Sequence, residues 1–308
     1  MVSLKQIRYF DAVARCGHFG AAAEECGVTQ PALSMQIQEL EKFLGVALFE
    51  RGRGPVMLTN SGRSIAFRAA RMLADARDIV DLARQDGRPL SGRLGLGVIP
   101  SVAPYILPGL LPSIRTTYPD LDLSLRETQT QFLLRELLDG SLDLLLLALP
   151  IEDPAVETLR LFDDRFLLAM PRSKKMTNHV RATPDMVERD KLLLLEEGHC
   201  FRDQALTFCG LRQVENAATF GVSSLSTLLE MVANGFGMTL IPEMSVGLET
   251  RRENIHLMRF EEPEPKRVIG LAWRKSSPRK RDFVELGEII TASASHPKPS
   301  AMQSLPAP

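Results

Sequence analysis

Apolar positions change period several times along this chain, and each change marks an element. Leu4, Ile7, Phe10 and Ala14 recur at helical spacing. Ala21 to Cys26 read as a second short helix, stopped by Gly27. Thr29 is placed to cap a third helix, with Pro31 in the first turn, where its missing N–H costs little. That helix carries Leu33, Ile37, Leu40 and Phe43 on one face. Helix, glycine-containing turn and helix form the skeleton of a DNA-reading helix-turn-helix. Leu48 to Thr59 then breaks into short apolar pieces around Arg51-Gly52-Arg53-Gly54-Pro55, which predicts a β-hairpin wing with a basic tip.

From Ser61 to about Arg84 the pattern is one long helix. Ile65, Ala69, Met72, Ala76, Ile79 and Ala83 follow alternating steps of four and three, a heptad seam. Such a seam suits either a helix lying on its own domain or one that pairs with a second copy; the length and small residues favour pairing. Gln85 to Gly92 is a polar hinge containing Gly and Pro, and marks a domain boundary. Beyond it, strand and helix patterns alternate: Leu94–Ile99, a helix from Pro104 to Tyr118, Leu121–Arg126, a helix from Phe132 to Leu138, and the buried strand Asp143–Ala148. This alternation predicts an α/β domain with a parallel sheet. The pattern restarts near Arg165 with Phe166–Met170 and continues through Leu192–Leu195, helices at Cys200–Phe208 and Leu225–Ala233, and the strand Met238–Ile241. A last strand, Val268–Trp273, and a helix at Phe283–Ile290 return to the first sheet. The expected boundaries are a winged helix-turn-helix domain at 1–60, a linker helix at 61–88, and an effector domain at 92–294. Within it, lobe I comprises 92–164 plus 268–294, lobe II comprises 165–267, and residues 295–308 form a Pro- and Ser-rich disordered tail.

Composition narrows the picture without deciding it. The chain has 308 residues, 44% of them hydrophobic and 24% charged, as in ordinary globular proteins, and a net charge of −1. The longest apolar run, Leu144 to Leu149, is too short to span a bilayer, and Met1 to Phe10 lacks a signal-peptide core, so a cytoplasmic location is expected. Residues 1–62 balance six basic residues (Lys5, Arg8, Arg15, Lys42, Arg51, Arg53) against six acids (Asp11, Glu24, Glu25, Glu39, Glu41, Glu50). Any DNA contact must therefore come from local arrangement rather than bulk charge. Cys16, Cys26, Cys200 and Cys209 lack CxxC spacing, so no metal site is expected, and no phosphate-binding glycine loop or other cofactor motif is found.

With these elements in order, the segment FGAAAEECGVTQPALSMQIQELEKFLGVALFER followed by LTNSG resembles the LysR-type transcriptional regulators. The remainder is similar to that family's effector domain, two α/β lobes like those of periplasmic binding proteins. The segments VIPSVAPYILP, RETQTQFLLREL, LDLLLLALP, LLLLEEGHCFRDQALTFC and MVANGFGMTLIP most resemble its peroxide-sensing branch. The resemblance implies promoter DNA as a partner, homodimers assembled into homotetramers, RNA polymerase as a further partner, and hydrogen peroxide as the signal. It does not imply an enzyme.

On the third helix, Thr29, Gln30, Pro31, Ser34 and Gln36 form the expected DNA-reading surface, because amides pair with adenine edges and Ser with bases or phosphates. Arg51 and Arg53 suit phosphate contact. Cys200 opens a helix, where unpaired N–H groups favour thiolate, the form that attacks peroxide; His199 and Arg202 lie close in sequence. Cys209 falls on the apolar face of the same helix with Phe201, Ala205 and Phe208. Nine residues of helix span about 13 Å, whereas a disulfide needs Cα atoms about 4.4–6.8 Å apart. A Cys200–Cys209 bond therefore requires local unfolding. The resemblance further implies that Ser101, Thr130 and Asp143 hold or support peroxide and that Arg274 stands near the reactive cysteine. Cys16 and Cys26 are expected to be structural.

Two other functions compete. The lobes could bind a small anionic metabolite in a cleft lined by Ser101, Thr130 and Thr239, or the thiols could turn over as a peroxidase, which a DNA-binding domain fits poorly.

Overall fold

The computed structural model describes residues 1–50, 56–84, 89–172, 181–183, 186, 191–198, 200–208, 218–219, 221–249 and 254–294. Arg51, Arg53, His199, Cys209, part of the expected hinge and the tail at 295–308 lie outside the described residues. Two compact units emerge, Met1–Gly87 with Glu136–Leu142, and Arg88–Arg135 with Asp143–Pro308.

The first unit opens with α1 (Leu4–Cys16), capped by Ser3, whose hydroxyl accepts from Gln6 N–H while Gln6 answers at the backbone of Ser3. Then come α2 (Phe19–Cys26) and α3 (Gln30–Leu44). Each of these three helices ends on a glycine in the left-handed region, Gly17, Gly27 and Gly45. Thr29 occupies the N-cap of α3, but its side chain makes no capping bond. The core joins Phe10, Leu33, Leu40 and Leu48, with Phe49 between the rings of Phe10 and Phe19 at 5.5 and 5.6 Å. The wing's stem is present: Phe49 bridges Leu58, and Glu50 N–H donates to the Met57 carbonyl at 2.8 Å.

The long helix α4 (Asn60–Arg84) divides the heptad seam in two. Ile65 and Ala69 pack on the core beside α1, so the first half lies on its own domain. Met72, Ile79, Val80 and Leu82 are exposed, Ile79 by 70%.

The second unit is built on a seven-stranded sheet ordered β2-β1-β3-β9-β4-β7, with β8 also pairing β4. Strands β1 (Gly92–Val98), β2 (Leu121–Glu127) and β3 (Leu144–Leu149) run parallel, connected through α5 (Ala103–Thr117) and α6 (Thr130–Leu138). The expected parallel sheet is instead mixed, because β9 (Lys266–Arg274) returns antiparallel beside β3 and β4 (Val156–Pro171) pairs antiparallel with β9. Strand β4 is also longer than its apolar stretch. Its first half mixes exposed and half-buried positions against β9, and its second half, Phe166–Ala169, is fully buried against β7 (Thr239–Pro242) and β8 (Ile255–Arg259). The half-polar start hides the strand from a hydrophobicity reading, and one strand pairs with β9 through its first half and with β7 and β8 through its second. Short β5 (Leu193–Leu194) and β6 (Ala218–Thr219) pair separately. The helices α7 (Cys200–Phe208), α8 (Leu225–Ala233), α9 (Val246–Glu249) and α10 (Lys280–Ala294) complete the described elements. No helix among the described residues is long and apolar enough to cross a membrane.

Candidate functional site

Cys200 is half-buried at the first position of α7, and its thiol is free. Phe201 and Ala205 anchor that helix in the apolar core, with the Phe201 ring edge-on to Phe166 at 5.4 Å and Phe208 edge-on to Phe260 at 5.0 Å. Cys200 faces a small pocket at the C-terminal edge of the parallel strands. Ile99, Pro100, Ser101, Gln129, Thr130 and Phe201 complete its lining, and it has room for about one water-sized molecule.

Two hydroxyls meet there in different states. Ser101 is buried, its Oγ accepting from Arg267 Nη1 at 2.8 Å and its carbonyl from Arg267 Nη2 at 2.9 Å. With that lone pair occupied, the hydroxyl proton is oriented to donate elsewhere. Thr130 Oγ1 is buried with no hydrogen-bond partner among the described residues. An orphaned buried hydroxyl costs about 1–3 kcal/mol, so a small polar ligand gains by satisfying it.

Arg267 is the organiser that sequence reasoning missed. It is almost fully buried, pairs with Asp164 at 2.9 Å, and lies over the Phe201 ring at 5.5 Å. Burial pushes the Asp164 carboxyl above its ordinary value, opposed by Arg267 and by the Met244 N–H it accepts from at 3.1 Å. A buried pair of this kind specifies geometry more than it adds stability.

Other expected pocket residues stand elsewhere. Asp143 accepts from Gly95 N–H at 2.8 Å and lies 3.8 Å from Arg274. Both are at the opposite end of the parallel strands, because Asp143 directly precedes β3 while Ser101 follows the end of β1, and β9 runs antiparallel to β3. The basic residue beside the pocket is Arg267, at the start of that strand, and not Arg274 at its end. Thr239 is buried with its hydroxyl donating to the Leu193 carbonyl at 2.8 Å, and it does not line the pocket. Arg202 donates to the Leu195 carbonyl at 2.9 Å and braces the loop ahead of α7. His199 and Cys209 lie outside the described residues.

On α3, Thr29, Gln30 and Pro31 are exposed, while Ser34 and Gln36 are half-buried, with Gln36 donating to Glu39 at 2.9 Å. This helix thus presents its N-terminal polar residues to solvent, the end from which helix-turn-helix proteins read bases.

The chain matches the bacterial regulatory helix-turn-helix protein model of the lysR family over residues 4–63 and the LysR substrate binding domain over residues 87–294. It is 38% identical over 291 residues to the DNA-binding transcriptional dual regulator OxyR of Escherichia coli K12, covering 94% of this chain and 95% of that protein. It is 43% identical over 292 residues to a probable hydrogen peroxide-inducible genes activator of Streptomyces viridosporus, covering 94% and 93%. Full-length OxyR from Pseudomonas aeruginosa, solved as a cysteine-to-aspartate variant, superposes with a TM-score of 0.81 at 36% identity, covering 94% of this chain and 98% of that one. A cysteine-to-serine mutant of Corynebacterium glutamicum OxyR, solved with hydrogen peroxide bound, gives 0.65 at 33% identity, covering 96% and 94%.

Proposed function

The chain belongs to the LysR family of transcription regulators, and from that premise we propose that it senses hydrogen peroxide through Cys200 and records the signal as a Cys200–Cys209 disulfide. The observation that carries this reading is the pocket: a thiol, one hydroxyl without a partner, and a second oriented by Arg267 surround space for a molecule little larger than water. Hydrogen peroxide fits a space of this size, and Thr239, which the anion-cleft reading places in the cleft, is buried with its hydroxyl donating to the Leu193 carbonyl.

The chemistry balances as follows. The Cys200 thiolate attacks one peroxide oxygen, an S–O bond forms as the O–O bond breaks, and the departing hydroxide takes up a proton to leave as water. Sulfur is oxidised to sulfenic acid and peroxide is reduced. Ser101 and Thr130 hold the oxygens in line. The Cys209 thiol then attacks the sulfenic sulfur, forming the S–S bond and releasing a second water. From Cys200 to Phe208 the helix rises about 12 Å. Subtracting the 3.8 Å Cα spacing of one further residue leaves about 8 Å, beyond the about 6.8 Å limit of a disulfide. Closing the bond therefore opens α7, and that rearrangement is the switch. In this reading α3 binds promoter DNA through Thr29, Gln30, Pro31, Ser34 and Gln36, with Arg51 and Arg53 on phosphates. The exposed half of α4 pairs copies into dimers and tetramers, which engage RNA polymerase.

Thiol mapping by mass spectrometry, after brief near-stoichiometric peroxide, tests the proposal. A Cys200–Cys209 link formed before Cys16 or Cys26 react is the expected result. A Cys200 that stays a free thiol would overturn it and return attention to small anionic effectors.

A further inference from the structure

Gln129 lies between β2 and α6, directly before Thr130, and its carboxamide reaches across to the loop that carries Cys200. Nε2 donates to the Glu197 carbonyl at 3.4 Å, a long bond, and Oε1 accepts from Gln131 at 3.2 Å. The amide lies against Gly198, two residues before the reactive thiol. A Cβ at Gly198 would come within 2.4 Å of Oε1 and 2.9 Å of Cδ, so Gln129 would have to move to admit one, and the φ of +92° at Gly198 favours glycine in its own right. The Gln129 carbonyl also accepts from Phe132 and Leu133 N–H at 3.1 Å, which ties the side chain's anchor to the start of α6. One residue thus holds the Thr130 end of the pocket and the Cys200 end in a single register.

From this juxtaposition we infer that Gln129 is a positioning residue for the peroxide reaction: it presses the Glu197-Gly198 turn into place so that the Cys200 sulfur faces the Ser101 and Thr130 hydroxyls. The inference rests on the proposed peroxide reading. Most of the grip is contact rather than hydrogen bonding, because the bond to the loop among the described residues is long. Reaction with peroxide needs the sulfur aligned with a held ligand, whereas reaction with iodoacetamide from solvent needs only access to the thiol. The two rates should separate when the grip is lost.

The test uses the full chain with Cys209→Ser, which stops the reaction at the sulfenic acid. Oxidation of Cys200 is followed by dimedone trapping and its alkylation by iodoacetamide, in Gln129 and in the variants Gln129→Ala and Gln129→Met. The expected result is that Gln129→Ala lowers the peroxide rate about tenfold to a hundredfold, with the iodoacetamide rate unchanged or raised, while Gln129→Met, which keeps the volume, stays close to the parent. Equal peroxide rates in Gln129→Ala and its parent would overturn this role alone and leave the sensing reaction standing. Parallel loss of both rates would also overturn it, marking a structural role. A parent Cys200 inert to peroxide would overturn the sensing reading and this role together.

Discussion

Cys16 and Cys200 are both half-buried thiols at helix ends, but at opposite ends. Cys16 closes α1, where the dipole opposes a negative charge, and its Sγ lies 3.3 Å from Glu25. Burial first, and then that carboxylate, push its thiol above the ordinary cysteine value. The Arg15 guanidinium beside Glu25 holds the carboxyl below its usual range, so Glu25 stays ionised at neutral pH and keeps the thiol protonated. A raised thiol gains its thiolate only at more alkaline pH, so Cys16 should be slow toward peroxide and iodoacetamide at pH 7 to 8. Glu25→Gln should raise the Cys16 alkylation rate at pH 8 and leave Cys200 unaffected; an unchanged Cys16 rate would mean that burial alone protects it. Cys200 at a helix start is a local feature that the sequence displays, whereas Ser101 and Thr130 entered through the family resemblance. Arg267 and Gln129 were not legible from sequence, since their partners lie 166 and 68 residues away.

Among the elements, the joint between wing and linker helix is closely packed. Thr59 bonds to the Ala47 carbonyl and receives Gly62 N–H, and Glu41 accepts from Leu48 N–H at 2.6 Å. A Cβ at Gly62 would sit 2.1 Å from the Leu48 carbonyl oxygen, which is backbone and cannot rotate away. Gly62→Ala should destabilise the N-terminal domain by about 1–3 kcal/mol, read as a lower melting temperature with the effector domain's transition unmoved. A melting curve identical to the parent's would show that α4 can slide at no cost. The helices of this domain matched their sequence pattern closely because their glycine stops act within one turn, although Thr29 at the start of α3 makes no capping bond. Strand β4 did not, because its first half is held by pairing with β9, more than a hundred residues later, rather than by its own apolar pattern.

For the whole molecule, the exposed apolar half of α4 sets the expectation for assembly. Burying one isoleucine contributes about 1.5–3 kcal/mol, so placing a charge at Ile79 should weaken self-association at least about tenfold. Sedimentation of Ile79→Glu against the parent checks this, and an unchanged dimer would move the interface away from the linker helix. The sequence by itself determined the kind of protein: helical period, glycine stops and a thiol at a helix start are written in neighbouring residues and need no knowledge of the fold. Tertiary structure alone decided which of two arginines on β9 serves the pocket. Strand direction carries Arg267 to the cysteine edge and Arg274 to the far end. It likewise decided that Gln129 meets Gly198 and that Thr130 keeps a buried hydroxyl without a partner among the described residues. Such contacts follow from how strands pair and lobes close, and no local pattern of residues encodes them.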